Sequence, residues 1–140
     1  MAPAQKDILT VTLHPALDLA TTVPQVIAGP KLRCTAPRID PGGGGVNGAR
    51  AICKLGGDAQ ALVAVGGATG ARILDLLAAE GVPTRPVKVT GETRQSFAVT
   101  EDATGAQFRF GVPGEPMTGD DAASILAAMV SQASEGSFVV

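Results

Sequence analysis

The sequence predicts an α/β protein: a partial parallel central sheet with flanking helices, extended by short antiparallel strands. Three observations point there. The runs Ile8–Leu13 and Gln60–Val65 are apolar on both faces, which suits strands buried inside a parallel sheet. Glycine-rich turns at 42–45 and 66–70 open into segments with apolar residues at helical spacing. Between 84 and 110, short extended runs are separated by Thr-Gly dipeptides at 90–91 and 104–105, which are hairpin signals.

Taken in order, residues 8–13 form the first strand. Residues 20–26 carry Pro24, which places them at a sheet edge. Residues 31–36 alternate, with Lys31, Arg33 and Thr35 facing one way and Leu32, Cys34 and Ala36 the other. That pattern fits a cationic flap over an anionic ligand, or equally an edge strand protected by its charge. A helix follows Pro41–Asn47, with Val46, Ala49, Ile52 and Cys53 on one face and Leu55-Gly-Gly57 as its stop. A second helix follows residue 70, with Ile73, Leu74, Leu77 and Ala78 on its buried stripe and Gly81 at its end. A third begins at Thr118, a cap residue with Asp120 and Asp121 in the first turn. It carries Ile125, Leu126, Met129, Val130 and Ala133, with Gly136 behind it. Ser137–Val140 reads as the entry of another apolar strand, so the expectation is a chain cut short of the sheet it belongs to.

Composition excludes several functions. Hydrophobic residues make up 45% and charged residues 17%, as in a folding globular domain, and 140 residues suffice for one core. A net charge of -2 and the absence of Trp and Tyr argue against a nucleic-acid partner. One His and two cysteines, Cys34 and Cys53, give neither a metal-ligand spacing nor a disulfide framework. No run approaches a membrane span, and MAPAQKD lacks a signal-peptide core. The expectation is a soluble cytoplasmic protein without a metal site or a membrane partner.

Four features carry chemistry. Gly42, Gly43, Gly44 and Gly45 exceed what a turn needs, and four bare amides before a helix can cradle a polar ligand; a flexible strand-to-helix connection is the alternative. Asn47 can point its amide at that ligand or serve as a local cap. Asp18, close after the first strand, can accept from two sugar hydroxyls or sit in a turn. Arg94, between hairpin strands, can clamp a phosphate or lie solvated on the surface.

Several segments resemble the ribokinase-like (PfkB) carbohydrate kinases, in particular their phosphofructokinase branch. They are TLHPALD (12–18), GPKLRCTAPRIDPGGGGVNGARAICKLGG (29–57), GGATG (66–70), GETRQSF (91–97) and QFRFGVPG (107–114). The resemblance implies a ribokinase-like fold with a small β-sheet lid, about residues 20–38 and 91–110, and residues 1–140 as the N-terminal portion of the kinase domain. It implies that Asp18 holds acceptor hydroxyls, that Gly42, Gly43, Gly44 and Asn47 pack against the sugar, and that Arg94 holds a 6-phosphate. Lys31 and Arg33 of the lid, and less strongly Arg109, would contact anionic ligands. The implied reaction transfers phosphoryl from MgATP to fructose 6-phosphate, and a homodimer through the lid is the implied assembly. Activity on the 1-phosphofructokinase or tagatose-6-phosphate kinase substrate is the alternative within the class, and a non-catalytic sugar-phosphate-binding module or a truncated fragment the alternative outside it. His14, Gly48 and Gly111 depart from the family pattern. The family's Gly-x-Gly-Asp motif, with its catalytic base and most ATP contacts, has no counterpart; Thr118-Gly-Asp-Asp121 merely opens a helix. No catalytic residue is therefore expected within these 140 residues.

Overall fold

The computed structural model describes residues 7–134 and 137–140; Gly136, expected behind the third helix, lies outside the described residues. Among the described residues eight strands and three helices follow in the order β1 (Ile8–Thr12), β2 (Ala16–Val23), β3 (Arg38–Gly42), α1 (Gly44–Lys54), β4 (Gln60–Val65), α2 (Gly67–Ala79), β5 (Thr84–Lys88), β6 (Arg94–Glu101), β7 (Gln107–Gly111), α3 (Gly119–Gln132) and β8 (Phe138–Val139). They form two four-stranded sheets, β5-β4-β1-β8 and β3-β2-β6-β7.

The first sheet is parallel throughout. Its centre is buried on both faces because β4 offers apolar side chains at every position after Gln60. Ala61, Val63 and Val65 point into one core with Val46 and Ala49 of α1 and Ile73 and Leu77 of α2. Leu62 and Ala64 point the other way, against Leu9, Val87 and Ile125 of α3. Helices on both sides of a parallel sheet satisfy that alternation. The start of α1 is held from β1: the Val46 amide donates to Thr12 Oγ1 at 2.9 Å. An added Cβ at Gly45 would stand 2.7 Å from the Val11 carbonyl oxygen, so this helix lies directly on the strand.

Several expectations are corrected. Residues 31–36 are not a strand. Pro30 and Pro37 flank the segment and remove ladder donors, and within it only Thr35 bonds to β2, through its amide, carbonyl and hydroxyl. The strand expected at the edge over 20–26 is β2, which ends before Pro24 and lies inside the second sheet. The third strand runs instead through Pro41, which sits at the sheet's β3 edge, where a missing donor is tolerated. The antiparallel strands do not extend the first sheet. Thr104-Gly105 is a true hairpin turn between β6 and β7, whereas Thr90-Gly91 carries the chain from one sheet to the other. In α3, Leu126 and Val130 are 61% and 71% exposed, and the packed stripe is Ile125, Ala128 and Met129. Ala78 likewise faces outward, and Leu76 packs in its place.

The second sheet is mixed. A parallel pair, β2 and β6, occupies its centre, with antiparallel neighbours outside. Leu17, Leu19 and Ile39 on one face join the α1–α2 core and fasten this sheet to the first. The other face lines the site.

Candidate functional site

The register of the second sheet sets out that open face as rows. Gly42, Ala16 and Arg94 form the first; Asp40, Asp18, Ser96 and Gly111 the second; Arg38, Ala20, Ala98 and Arg109 the third. Alternation along each strand puts these side chains on one side, and on the other Leu17, Leu19 and Ile39 pack inward. With Gly43, Gly44 and Asn47 at the head of α1, and with Arg50 and Lys54 further along it, they border an open cleft of about 860 Å³. Small-molecule pockets hold about 300–1,000 Å³, so this one accommodates a hexose phosphate and stays open on one side.

Asp18 stands at the centre. It lies in the middle of β2 rather than in a turn, and Ser96 donates its hydroxyl to Asp18 Oδ1 at 2.5 Å. A Cβ at Gly42 would collide with the Asp18 carboxylate, so only glycine leaves that carboxylate its place. Gly43 has φ of 125°, a backbone conformation that side chains disfavour, and a Cβ there would stand 2.6 Å from Thr12 Cγ2. Helix α1 begins without a side-chain cap, and the exposed Asn47 lines the cleft instead of bonding to its own helix start.

Charge is distributed unevenly. Arg38 donates to Asp40 at 2.6 Å, and Arg50 makes two 2.7 Å bonds to the Glu80 carboxylate and a 3.1 Å bond to the Pro41 carbonyl. The hydrogen bond from Arg50 holds the Glu80 carboxyl below the ordinary glutamate range, and the same bond raises the Arg50 guanidinium. These cations are spent on neighbours. Arg94 and Arg109, in contrast, make no ion pair among the described residues. Arg94 also borders a much smaller hollow of about 30 Å³ next to His14 and Gly114. A partnerless arginine beside a glycine cradle is chemically ready for an anion.

The structure therefore brings together Asp18, Gly43, Gly44, Asn47, Arg94 and Arg109 around one cleft, with Gly42 directly behind Asp18. It does not bring in Lys31 and Arg33, which lie exposed between β2 and β3, outside the cleft lining. Arg94 is the first residue of β6 rather than part of a hairpin turn, because the strands before and after it belong to different sheets. Sequence reasoning missed Ser96, Asp40 and Arg50. The Arg94–Ser96 alternation was a usable signal for Ser96; the other two are recognisable only from cross-strand and helix-to-strand pairing. Among the described residues no group of three or more His, Cys, Asp or Glu could hold a metal ion, and no helix is long and apolar enough to cross a membrane.

Residues 12–135 match the model of the pfkB family carbohydrate kinases. The chain is 50% identical over 114 residues to the ATP-dependent 6-phosphofructokinase isozyme 2 of Escherichia coli K12, covering 81% of this chain and 37% of that protein. It superposes with a TM-score of 0.90 on the crystal structure of phosphofructokinase-2 from Escherichia coli in complex with fructose 6-phosphate, at 44% identity over 96% of this chain and 44% of that one. A tetrameric inhibited form of the same enzyme gives a TM-score of 0.89 at the same identity and coverage. The chain thus spans less than half the length of the relatives it matches.

Proposed function

Because the chain belongs to the pfkB family of carbohydrate kinases, we propose that the protein is an ATP-dependent 6-phosphofructokinase and that these residues hold its sugar-phosphate acceptor. In that reaction the bond between the γ-phosphorus of ATP and its bridging oxygen breaks, ADP leaves, and a new bond forms to O1 of fructose 6-phosphate as the hydroxyl proton departs. The identity of the relatives supports the substrate class. The observation that carries the residue roles is the pairing, in adjacent rows of one sheet face, of an oriented carboxylate, Asp18, with an unpaired guanidinium, Arg94.

Asp18 accepts hydrogen bonds from the sugar hydroxyls. Ser96 donates to one of its oxygens and so keeps the carboxylate turned into the cleft. Gly42, Gly43 and Gly44 let the sugar approach bare backbone, and Asn47 offers an amide from the first turn of α1. Arg94 takes the 6-phosphate bidentately. Arg109 is a weaker candidate, two rows from Arg94, and Lys31 and Arg33 serve by attracting the dianion toward the cleft rather than by touching it. We assign the second sheet as the lid and propose a homodimer through it, in which the exposed Phe97, Phe110 and Val112 would be covered. Mg2+ would accompany ATP. The described residues offer no ligand set that fits it, so neither the nucleotide nor phosphoryl transfer is routed through them.

The test is steady-state kinetics of the protein expressed from its complete gene. Wild type should turn over fructose 6-phosphate in preference to fructose 1-phosphate and tagatose 6-phosphate. Arg94→Ala should raise KM for fructose 6-phosphate roughly ten- to hundredfold, as loss of hydrogen bonds to a charged group costs about 1.5–3 kcal/mol. An unchanged KM removes Arg94 from the phosphate site. Near-normal turnover in Asp18→Asn removes the role given to Asp18.

A further inference from the structure

Residues 89–93 carry the chain from β5 of the first sheet to β6 of the second, and they are fastened to the head of α2. The Gly66 amide donates to Thr93 Oγ1 at 3.0 Å, and the Thr93 amide donates back to the Gly66 carbonyl at 3.0 Å. The Thr69 amide donates to Glu92 Oε1 at 2.7 Å. One step earlier the Val89 amide donates to the Val65 carbonyl at 3.0 Å. Thr93 is buried, while Glu92 reaches the helix from the surface.

The glycines of residues 66–70 are shaped to this segment. A Cβ at Gly66 would collide with the Gly91 carbonyl oxygen, and one at Gly67, where φ is 65°, with the Glu92 carboxylate. At Gly70 it would stand 3.0 Å from Thr93 Oγ1. No side chain at the helix's own N-cap position satisfies the first turn of α2; the Glu92 carboxylate does so from the crossing segment. The positive end of a helix favours an anion there, and the Thr69 amide, followed by its hydroxyl, holds the Glu92 carboxyl below its ordinary range. The Gly-Gly-Ala-Thr-Gly stretch thus closes on the protein's own acid.

Arg94 follows this joint directly and opens β6. No carboxylate among the described residues orients its guanidinium, so its aim depends on where its backbone is pinned. We infer that Glu92 and Thr93 are positioning residues: by clasping the start of β6 to the head of α2 they aim Arg94 at the phosphate of the acceptor. This inference rests on the proposed reading of Arg94 as the phosphate-holding residue.

A double-mutant cycle in the protein expressed from its complete gene tests it. Glu92 is exposed, so Glu92→Ala leaves the core intact. It should raise KM for fructose 6-phosphate about fivefold, with kcat and KM for ATP held, since a small misplacement of a binding group weakens what it binds. Glu92→Gln keeps an acceptor for the Thr69 amide and should recover most of the loss. In an Arg94→Ala background, Glu92→Ala should add nothing. An unchanged KM in Glu92→Ala beside a raised KM in Arg94→Ala overturns this inference and leaves the phosphate site standing, as does a fully additive double variant. An unchanged KM in Arg94→Ala overturns the phosphate site, and the inference falls with it.

Discussion

In the parallel sheet Leu62 and Val63 have no exposed surface, and helices cover both faces. In the second sheet one face is polar and open, and β7 is exposed along its whole length. The two sheets belong to one chain and share a core through Leu17, Leu19 and Ile39, yet they answer to different demands. Close packing decides which side chains the first can carry, and a missing methylene there is felt at once. The second is held to the first by one face only, so its other face is free to carry groups whose worth lies in what they bind. Stability and function should therefore separate along this line.

The largest effect is expected from Leu62→Ala, which should cost about 2–5 kcal/mol by leaving a cavity inside the first sheet. Chemical denaturation measures it, and a loss below about 1 kcal/mol would mean that the sheet is not sealed as described. Gly42→Ala should invert the pattern. Its Cβ meets the far end of the Asp18 side chain, which can swing aside at small cost to the fold. Binding of fructose 6-phosphate should fall about a hundredfold, as for a misplaced reacting group, with melting temperature nearly unchanged. If stability and binding fell together, the open face would not be separable from the core.

Arg50→Met probes the tie between the two regions. Arg50 is 16% exposed and joins Glu80 at the end of α2 to Pro41 and Asp40 of β3. A pair near the surface is worth about 1 kcal/mol or less, so the loss should be of that order. Glu80 has its folded pKa depressed below the ordinary value of 4.5, so its contribution is present above that pH and lost as pH falls through the depressed value. Wild type and Arg50→Met should accordingly begin to converge in stability as pH falls below 4.5 and meet only below the depressed value; a gap that persists in acid would assign the effect to packing of the arginine stem. A loss of the same order is expected from Thr118→Ala. This removes one half of the capping box with Asp121 and should cost about 1 kcal/mol, or roughly half that if the remaining amides find water.

The same division explains how much was legible in the sequence. The first sheet and its helices were readable because their signals are local: β4 is apolar at successive positions, and α1 repeats Val46, Ala49, Ile52 and Cys53 at helical spacing. The Thr118 cap was readable for the same reason. The second sheet was not, because its central pair joins segments far apart in the chain and its strands alternate polar and apolar residues weakly. Arg38–Gly42 contains proline and glycine, and only its pairing with β2 makes it a strand. For α3 the helical period was right and its phase too generous: Leu126 and Val130 have apolar spacing but no described partner layer. Of the site, the glycines, Asp18, Asn47 and Arg94 were visible as unusual residues and Ser96 was within reach of its alternation with Arg94, whereas the Glu92–Thr93 clasp becomes visible only once α2 is set beside β6.

The bond between Ser96 and Asp18 spans 78 residues of chain, and this bears on how the protein is made. At synthesis rates of about 5–20 residues per second, β2 waits roughly 4–16 s on the ribosome before β6 has even been polymerised. During that interval it can pair only with β3, 15 residues after it, as a marginal two-stranded hairpin. The long loop that β2 and β6 must close makes their union slow as well as late. The open face of the second sheet thus assembles only after β6 has been made, and a nascent chain stalled before Arg94 carries Asp18 without its Ser96 partner.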